Sequence, residues 1–190
     1  MSWINSQKNN NIGSLYANVS LENNNLLPPT ILDKGKHWIK CRHKTSLYLS
    51  GNAGSGKTYF ALCLVRSLAE NGNPWHIFAK SHDLDTEFLK AIFDNQEDYV
   101  IDKYKSVPFL FLDDLGVERP NERIIKQYYS IFEHRVSNCM CTIVTSNQKL
   151  ENIHKIVGDR IASRLQGSYE INFPNRDLRK NSCQKNSNTL

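Results

Sequence analysis

The sequence predicts an α/β fold, a five-stranded parallel sheet sandwiched between helices. Three observations carry the prediction. Short apolar runs alternate with segments of helical periodicity from Leu47 to Phe173, the order that builds a parallel sheet from strand–helix units. A glycine-rich segment, Gly51 to Thr58, joins the first apolar run to the first of those helices. No apolar stretch approaches the roughly 18 residues of a membrane span, which excludes a transmembrane chain and leaves the apolar residues to make a core.

Residues 1–45 read as an Asn-rich N-terminal arm with a short helix. Asn5, Asn9, Asn10, Asn11, Asn18, Asn23, Asn24 and Asn25 crowd it, and asparagine side chains compete with the hydrogen bonds of helix and strand. Trp3, Ile4, Ile12, Leu15, Tyr16, Val19 and Leu21 are interspersed, so an arm that docks on something and a floppy terminus are both open readings. Pro28-Pro29 punctuates, and Thr30 is expected to cap a helix to Lys40 with Ile31, Leu32, Trp38 and Ile39 as its apolar side.

Residues 46–174 read as the folded domain. Leu47 to Leu49 is a buried strand ending at Ser50 and Gly51. A helix runs from Lys57 to Glu70 with Phe60, Leu64 and Leu68 on one face, and Asn71-Gly72-Asn73-Pro74 stops it. Trp75 to Ala79 is the second strand. Ser81 or Asp83 caps the next helix, which carries Leu84, Phe88, Leu89 and Ile92. Phe109 to Leu112 is the third strand, Glu122 to Val136 a helix, and Cys141 to Val144 the fourth strand. Leu150 to Leu165 is helical in two pieces broken at Gly158, and Tyr169 to Phe173 is a fifth strand ended by Pro174. Residues 175–190 read as a polar basic tail, with Arg176, Arg179, Lys180 and Lys185 against Asp177. Contact with nucleic-acid phosphates and plain solvation both account for it.

The 190 residues, 39% hydrophobic, suit one domain with a short extension and argue against disorder as the whole answer. The opening MSWINSQKNN lacks the basic-then-apolar order of a signal peptide, so a cytoplasmic setting is expected. The five cysteines, Cys41, Cys63, Cys139, Cys141 and Cys183, fit neither a disulfide framework nor a paired zinc site and read as reduced thiols.

Four segments carry chemistry. Gly51-Asn52-Ala53-Gly54-Ser55-Gly56-Lys57-Thr58, with Tyr59 following, fits the phosphate-loop pattern in full. Glycines let the backbone wrap phosphates with its N–H groups inward, and the helix behind adds positive potential. Lys57 reaches the β- and γ-phosphates, and the Thr58 hydroxyl is a magnesium ligand. Phe109 to Leu112 leads straight into Asp113-Asp114, a costly place for two carboxylates unless a cation stands by. Asp113 holds that magnesium through water and Asp114 polarises the attacking water. Thr145-Ser146-Asn147 ends the fourth strand, where ligand groups gather in open parallel sheets. Asn147 is thus a contact for the γ-phosphate or the water, with a Ser-Asn turn as the rival reading. Arg160 and Arg164, four apart, share one helical face. One reading sends an arginine to a neighbouring subunit's γ-phosphate; the other bonds both to surface carboxylates.

These pieces, in this order, resemble the AAA+ ATPases among the P-loop (ASCE) NTPases, and specifically the DnaC/DnaI helicase-loader and IstB-like branch. LYLSGNAGSGKTYFALCL is similar to the family's phosphate-loop block, FLFLDDLGVER to its acidic strand, IVTSNQ to its sensor segment and GDRIASRL to its arginine-finger helix. The resemblance covers roughly Leu47 to Phe173. It implies ATP and magnesium as ligands, ATP hydrolysis, a phosphate-loop strand near the middle of the sheet, and a homo-oligomer with ATP at subunit junctions. It makes Arg164 the better match to the finger and Arg160 its helix neighbour. About 17 residues follow Phe173, so no C-terminal lid domain is expected, and the family's N-terminal partner-binding domain is reduced to about 45 residues.

The function so implied is a replication accessory ATPase that places a replicative helicase on single-stranded DNA. Hydrolysis is slow in the isolated subunit, because such a finger is worth roughly 10³–10⁵ in rate. Lys80, Ser81 and His82 are positional candidates for DNA contact. Lys103 and Lys105 are weaker ones, with a solvated face as their rival reading. An IstB-like transposition helper is the alternative client reading. A scaffold with vestigial hydrolysis is a third, against which the intact Lys57, Asp113 and Asp114 speak. No N-K-x-D guanine reader is present.

Overall fold

The computed structural model describes residues 16, 18–41, 45–71, 76–117 and 120–178. Of the features above, Trp3, Ile4, Ile12, Leu15, Asn5, Asn9, Asn10, Asn11, Gly72, Asn73, Pro74, Trp75, Arg179, Lys180, Cys183 and Lys185 lie outside the described residues. The elements run α1 (Pro29–Lys40), β1 (Leu47–Ser50), α2 (Lys57–Glu70), β2 (His76–Lys80), α3 (Ser81–Phe93), α4 (Glu97–Ser106), β3 (Phe109–Asp113), α5 (Glu122–Ser137), β4 (Cys141–Ser146), a 3₁₀ turn (Leu150–Asn152), α6 (His154–Val157), α7 (Asp159–Leu165) and β5 (Tyr169–Asn172).

The five strands form one parallel sheet in the order β2-β3-β4-β1-β5. β4 is therefore the central strand, and the phosphate-loop strand β1 lies beside it, one place in from the edge. Side chains alternate across the pleat. Leu47, Leu49, Phe111, Ile143 and Ile171 face a core made with α1 and α2. Tyr48, Leu110, Leu112 and Val144 face a second core made with α3 to α7. Both faces are covered, as a parallel sheet requires. Val19, Leu21 and Leu27 of the arm are buried in the first of these cores, together with Ile31, Leu32 and Trp38 of α1.

Several local expectations are corrected. Thr30 does not cap α1: Pro28 is the cap and Pro29 opens the helix, where a missing N–H costs nothing and φ is already helical. Neither Ser81 nor Asp83 caps α3. The chain passes from β2 into the helix with Lys80 at the cap position and no side-chain cap bond, and Ser81 Oγ is drawn instead to the Asp114 carbonyl, 2.8 Å away. α4 was not foreseen from the sequence. Val100, Ile101 and Tyr104 are its buried face, with Glu97 and Asp98 in its first turn and Lys103 and Lys105 in its last, the charge order that suits a helix dipole. β4 runs two residues further than expected, through Thr145 and Ser146. The break at Gly158 is present, at φ 83°. Among the described residues no helix is long and apolar enough to cross a membrane.

Candidate nucleotide-binding site

The site is built at the C-terminal edge of the sheet, where β1, β3 and β4 end side by side. Gly54 and Gly56 adopt φ of 77° and 99°, the left-handed region that glycine enters without steric cost. That allows the chain to curl from β1 into α2. Lys57, the first residue of α2, is only 4% exposed. Its Nζ donates to the Gly51 carbonyl at 2.8 Å, the Asn52 carbonyl at 3.0 Å and Asn147 Oδ1 at 2.9 Å. The ammonium is thus held at the loop's mouth by groups that an incoming anion can replace.

Behind it, Thr58 Oγ1 donates to Asp113 Oδ1 at 2.8 Å. Asp113 is 3% exposed. Burial, with the neighbouring Asp114 charge, raises its carboxyl above the ordinary carboxylate range, while hydrogen bonds from Thr145 and Thr58 and the Lys57 charge oppose the rise. Asp114 takes the left-handed conformation, φ 58°. It borders a cavity of about 310 Å³ together with Lys57, Thr58 and Asn147.

The sequence reading passed over Thr145. Its hydroxyl donates to Asp113 Oδ1 at 2.7 Å and accepts the Asp114 N–H at 2.9 Å. Leu115 N–H donates to the Thr145 carbonyl at 2.9 Å, and Ser146 Oγ to the Leu115 carbonyl at 2.6 Å. One side chain on β4 therefore holds the Asp113 carboxylate at the end of β3 and the backbone of Asp114 just beyond it. The available signal was its place: Thr145 stands one residue before the strand end and two before Asn147.

The residues present fit a triphosphate and a hard cation. Ser55 Oγ is buried in the loop without a hydrogen-bond partner among the described residues, an orphaned donor where phosphate oxygens would bind. Thr58 and Asp113 offer adjacent oxygens of the kind magnesium takes.

Other candidates fall elsewhere. Arg164 Nε donates to Glu133 Oε2 on α5 of the same chain, and this pairing holds the Glu133 carboxyl below its ordinary value. Arg160 lies over the Tyr129 ring, 5.7 Å from its centroid. Neither arginine borders the cavity. Lys103 pairs with Glu87 at 2.7 Å and lies over the Tyr104 ring. Lys80 and His82 are exposed at the start of α3, and Lys80 is in register with Asp113 across the sheet.

The described part of the tail lies against the phosphate loop, with Pro174, Asn175 and Arg176 exposed. Asn52 Nδ2 donates to Asn175 Oδ1 at 2.7 Å, and Leu178 N–H to the Gly54 carbonyl at 2.8 Å. Buried Phe173 anchors the segment at one end. Leu178, the apolar residue in an otherwise polar stretch, seats it at the other.

Comparison with known proteins gives the family. The family model for the IstB-like ATP binding protein matches residues 27–165. Among curated proteins, the chromosomal replication initiator protein DnaA of Lactobacillus helveticus (strain DPC 4571) is 24% identical over 133 residues, which cover 70% of this chain and 29% of that protein. The chain thus spans under a third of that relative's length. The solved structure of the DnaC helicase loader superimposes with a TM-score of 0.74 at 19% identity, covering 85% of this chain and 100% of that one. The structure of replication initiator DnaA bound to AMPPCP and single-stranded DNA gives 0.73 at 19% identity, covering 90% and 56%. With a phosphate loop, paired acids and a strand-end asparagine gathered at one site, on a fold shared with these proteins, the chain belongs to the IstB-like ATP binding protein family.

Proposed function

We propose that the chain binds and hydrolyses ATP as a replication accessory protein of the helicase-loader kind, acting on a replicative helicase and single-stranded DNA. The observation that supports this best is the convergence of Lys57, Thr58, Asp114 and Asn147 on one cavity, with Asp113 behind Thr58. The loop segment Gly51 to Tyr59 receives the triphosphate. Magnesium, when bound beside Thr58 and Asp113, supplies charge neutralisation at the phosphate oxygens. Lys57 exchanges the Gly51 and Asn52 carbonyls for phosphate oxygens. That exchange also releases Asn147 Oδ1, so Asn147 turns to the γ-phosphate or the attacking water when the site fills. Asp114 orients that water and accepts its proton. Arg164 completes a neighbouring subunit's site in a homo-oligomer, which requires it to leave Glu133. Lys80 and His82 at the exposed start of α3 are the DNA contacts, with the strong salt dependence that phosphate contacts impose.

The fold shared with the DnaC helicase loader and the DNA-bound DnaA supports replication as the setting. Membership of the IstB-like family goes with a second reading, an ATPase that assists a transposase.

Titration with ATP and a replicative helicase tests the proposal. The wild type should bind ATP and increase helicase deposition on single-stranded DNA, and Lys57→Ala should lose at least tenfold in ATP affinity (about 1.4 kcal/mol) and the deposition with it. Equal ATP binding by Lys57→Ala would remove the phosphate-loop assignment. ATP binding with no effect on helicase would favour the transposition reading.

A further inference from the structure

Asn147 lies just past the end of β4 and is exposed. A residue on a connection can serve a reaction only if its backbone is held, since a misplacement of about 1 Å costs on the order of a hundredfold in rate. The hold comes from the sheet. Tyr48 on β1 is in register with Glu170 on β5, and Ser50 on β1 with Ser146 on β4. Alternate positions of a strand share a face, so these four polar side chains stand on the same side of the sheet.

They meet the connection Asn147-Gln148-Lys149, which leads from β4 into the 3₁₀ turn. Gln148 N–H donates to Ser146 Oγ at 3.1 Å, and the Tyr48 hydroxyl donates to the Gln148 carbonyl at 3.0 Å. Leu150 N–H, opening the turn, donates to Glu170 Oε1 at 3.2 Å, and Ser50 Oγ stands 3.3 Å from the same oxygen. Both backbone groups of Gln148 are thus engaged, and the chain is pinned again two residues on. Tyr48 is 0% exposed. Burial pushes its phenol up to about 12; the bond with Ser146 opposes the rise and the Glu170 charge adds to it. The hydroxyl therefore keeps its proton for the Gln148 carbonyl. Neither Tyr48 nor Glu170 borders the nucleotide cavity, so any effect they have on the reaction passes through the chain they hold.

We propose that Tyr48 and Glu170 are positioning residues for ATP hydrolysis: one holds the Gln148 carbonyl, the other the Leu150 N–H, and together they fix Asn147 where its side chain can leave Lys57 for the γ-phosphate or the attacking water. This rests on the ATPase reading above and names what keeps its strand-end asparagine in place. The clamp acts on turnover rather than on binding, because the phosphate loop and Lys57 hold the triphosphate without it.

A double-mutant cycle on the full chain tests this, with kcat from steady-state kinetics and affinity from calorimetric titration with a non-hydrolysable ATP analogue. Tyr48→Phe and Glu170→Ala should each lower kcat by about tenfold, with analogue affinity nearly unchanged, which also shows that the variants are folded. Glu170→Gln, which keeps an oxygen for the Leu150 N–H, should recover most of the rate. In an Asn147→Ala background the same two substitutions should lower the residual rate no further, because the group they position is gone. Unchanged kcat in both Tyr48→Phe and Glu170→Ala would overturn the clamp. So would equal losses with and without Asn147, or an affinity that falls as far as kcat does, since either is the mark of a general packing role. A wild type that binds the analogue but does not hydrolyse ATP would overturn the hydrolysis reading and the clamp together. One that does not bind the analogue would overturn the phosphate-loop reading as well.

Discussion

Thr145 is the side chain on which both acids depend. It donates to the Asp113 carboxylate and accepts the Asp114 backbone N–H, so it helps to fix the Asp113 side chain and the path of the chain at Asp114. Thr145→Val keeps the shape and removes both bonds. It leaves the Asp114 N–H without its hydroxyl acceptor, at a cost of about 1–3 kcal/mol. A fall of several degrees in the ligand-free thermal midpoint is expected, along with turnover reduced more than ATP affinity; calorimetry and steady-state kinetics on one preparation read both. Asp113 and Asp114 were legible in the sequence because four apolar residues run directly into them. Thr145 was not, because a threonine near a strand end is ordinary and its importance comes from β4 lying beside β3.

At the level of elements, α5 is fastened to the sheet by Arg135, which is 0% exposed. Its guanidinium donates to the carbonyls of Tyr104, Lys105, Val107, Pro108 and Cys141 and to Thr142 Oγ1. It thereby ties the α4–β3 connection to β4. Burial lowers its pKa to about 10, so it stays charged at neutral pH. Arg135→Met leaves several buried carbonyls unpaired and should destabilise by at least about 3 kcal/mol, measured by urea unfolding. The α5–α7 contact supplies a pH effect. The Glu133 carboxyl is held below 4.5 by Arg164. A carboxyl depressed in the folded state stabilises above its unfolded value, and the effect is lost as pH falls through the folded value. Carbon-detected titration of Glu133 should show the low value in the wild type and its return toward 4.5 in Arg164→Ala. The periodicity of Phe60, Leu64 and Leu68 made α2 plain, whereas α4 hid behind its charged residues. The mistaken caps share one cause: Thr30 and Ser81 are good capping residues, but Pro29 already opened α1 and Asp114 already engaged Ser81.

For the whole molecule, the question is whether sites are shared between subunits. Within one chain, Arg164 is engaged with Glu133 and lies away from the cavity. If it acts on a neighbour, mixing Arg164→Ala subunits with Lys57→Ala subunits should restore part of the ATPase rate that each lacks alone, since some junctions then join an intact loop to an intact arginine. No rescue across a range of ratios would place the arginine's role within its own subunit. The sheet order matters to the same question. β1 between β4 and β5 brings the loop against Asn147 on one side and against the segment after β5 on the other. No local pattern in the strands specifies that order.

What the sequence determined by itself was whatever short-range chemistry sets. The phosphate loop needs glycines, Lys57 and Thr58 within eight consecutive positions. The acids need an apolar strand directly before them, and alternating strands and helices need a parallel sheet to bury them. The tertiary structure alone decided the contacts made across distant parts of the chain. Thr145 meets Asp113, Arg135 reaches the α4–β3 connection, Asn24 holds Tyr59, and Leu178 settles on Gly54. Each of these depends on which strands are neighbours and on where the two flanking segments come to rest. That is settled by competition among many packings for the same apolar surface, a property of the whole chain rather than of any window of it.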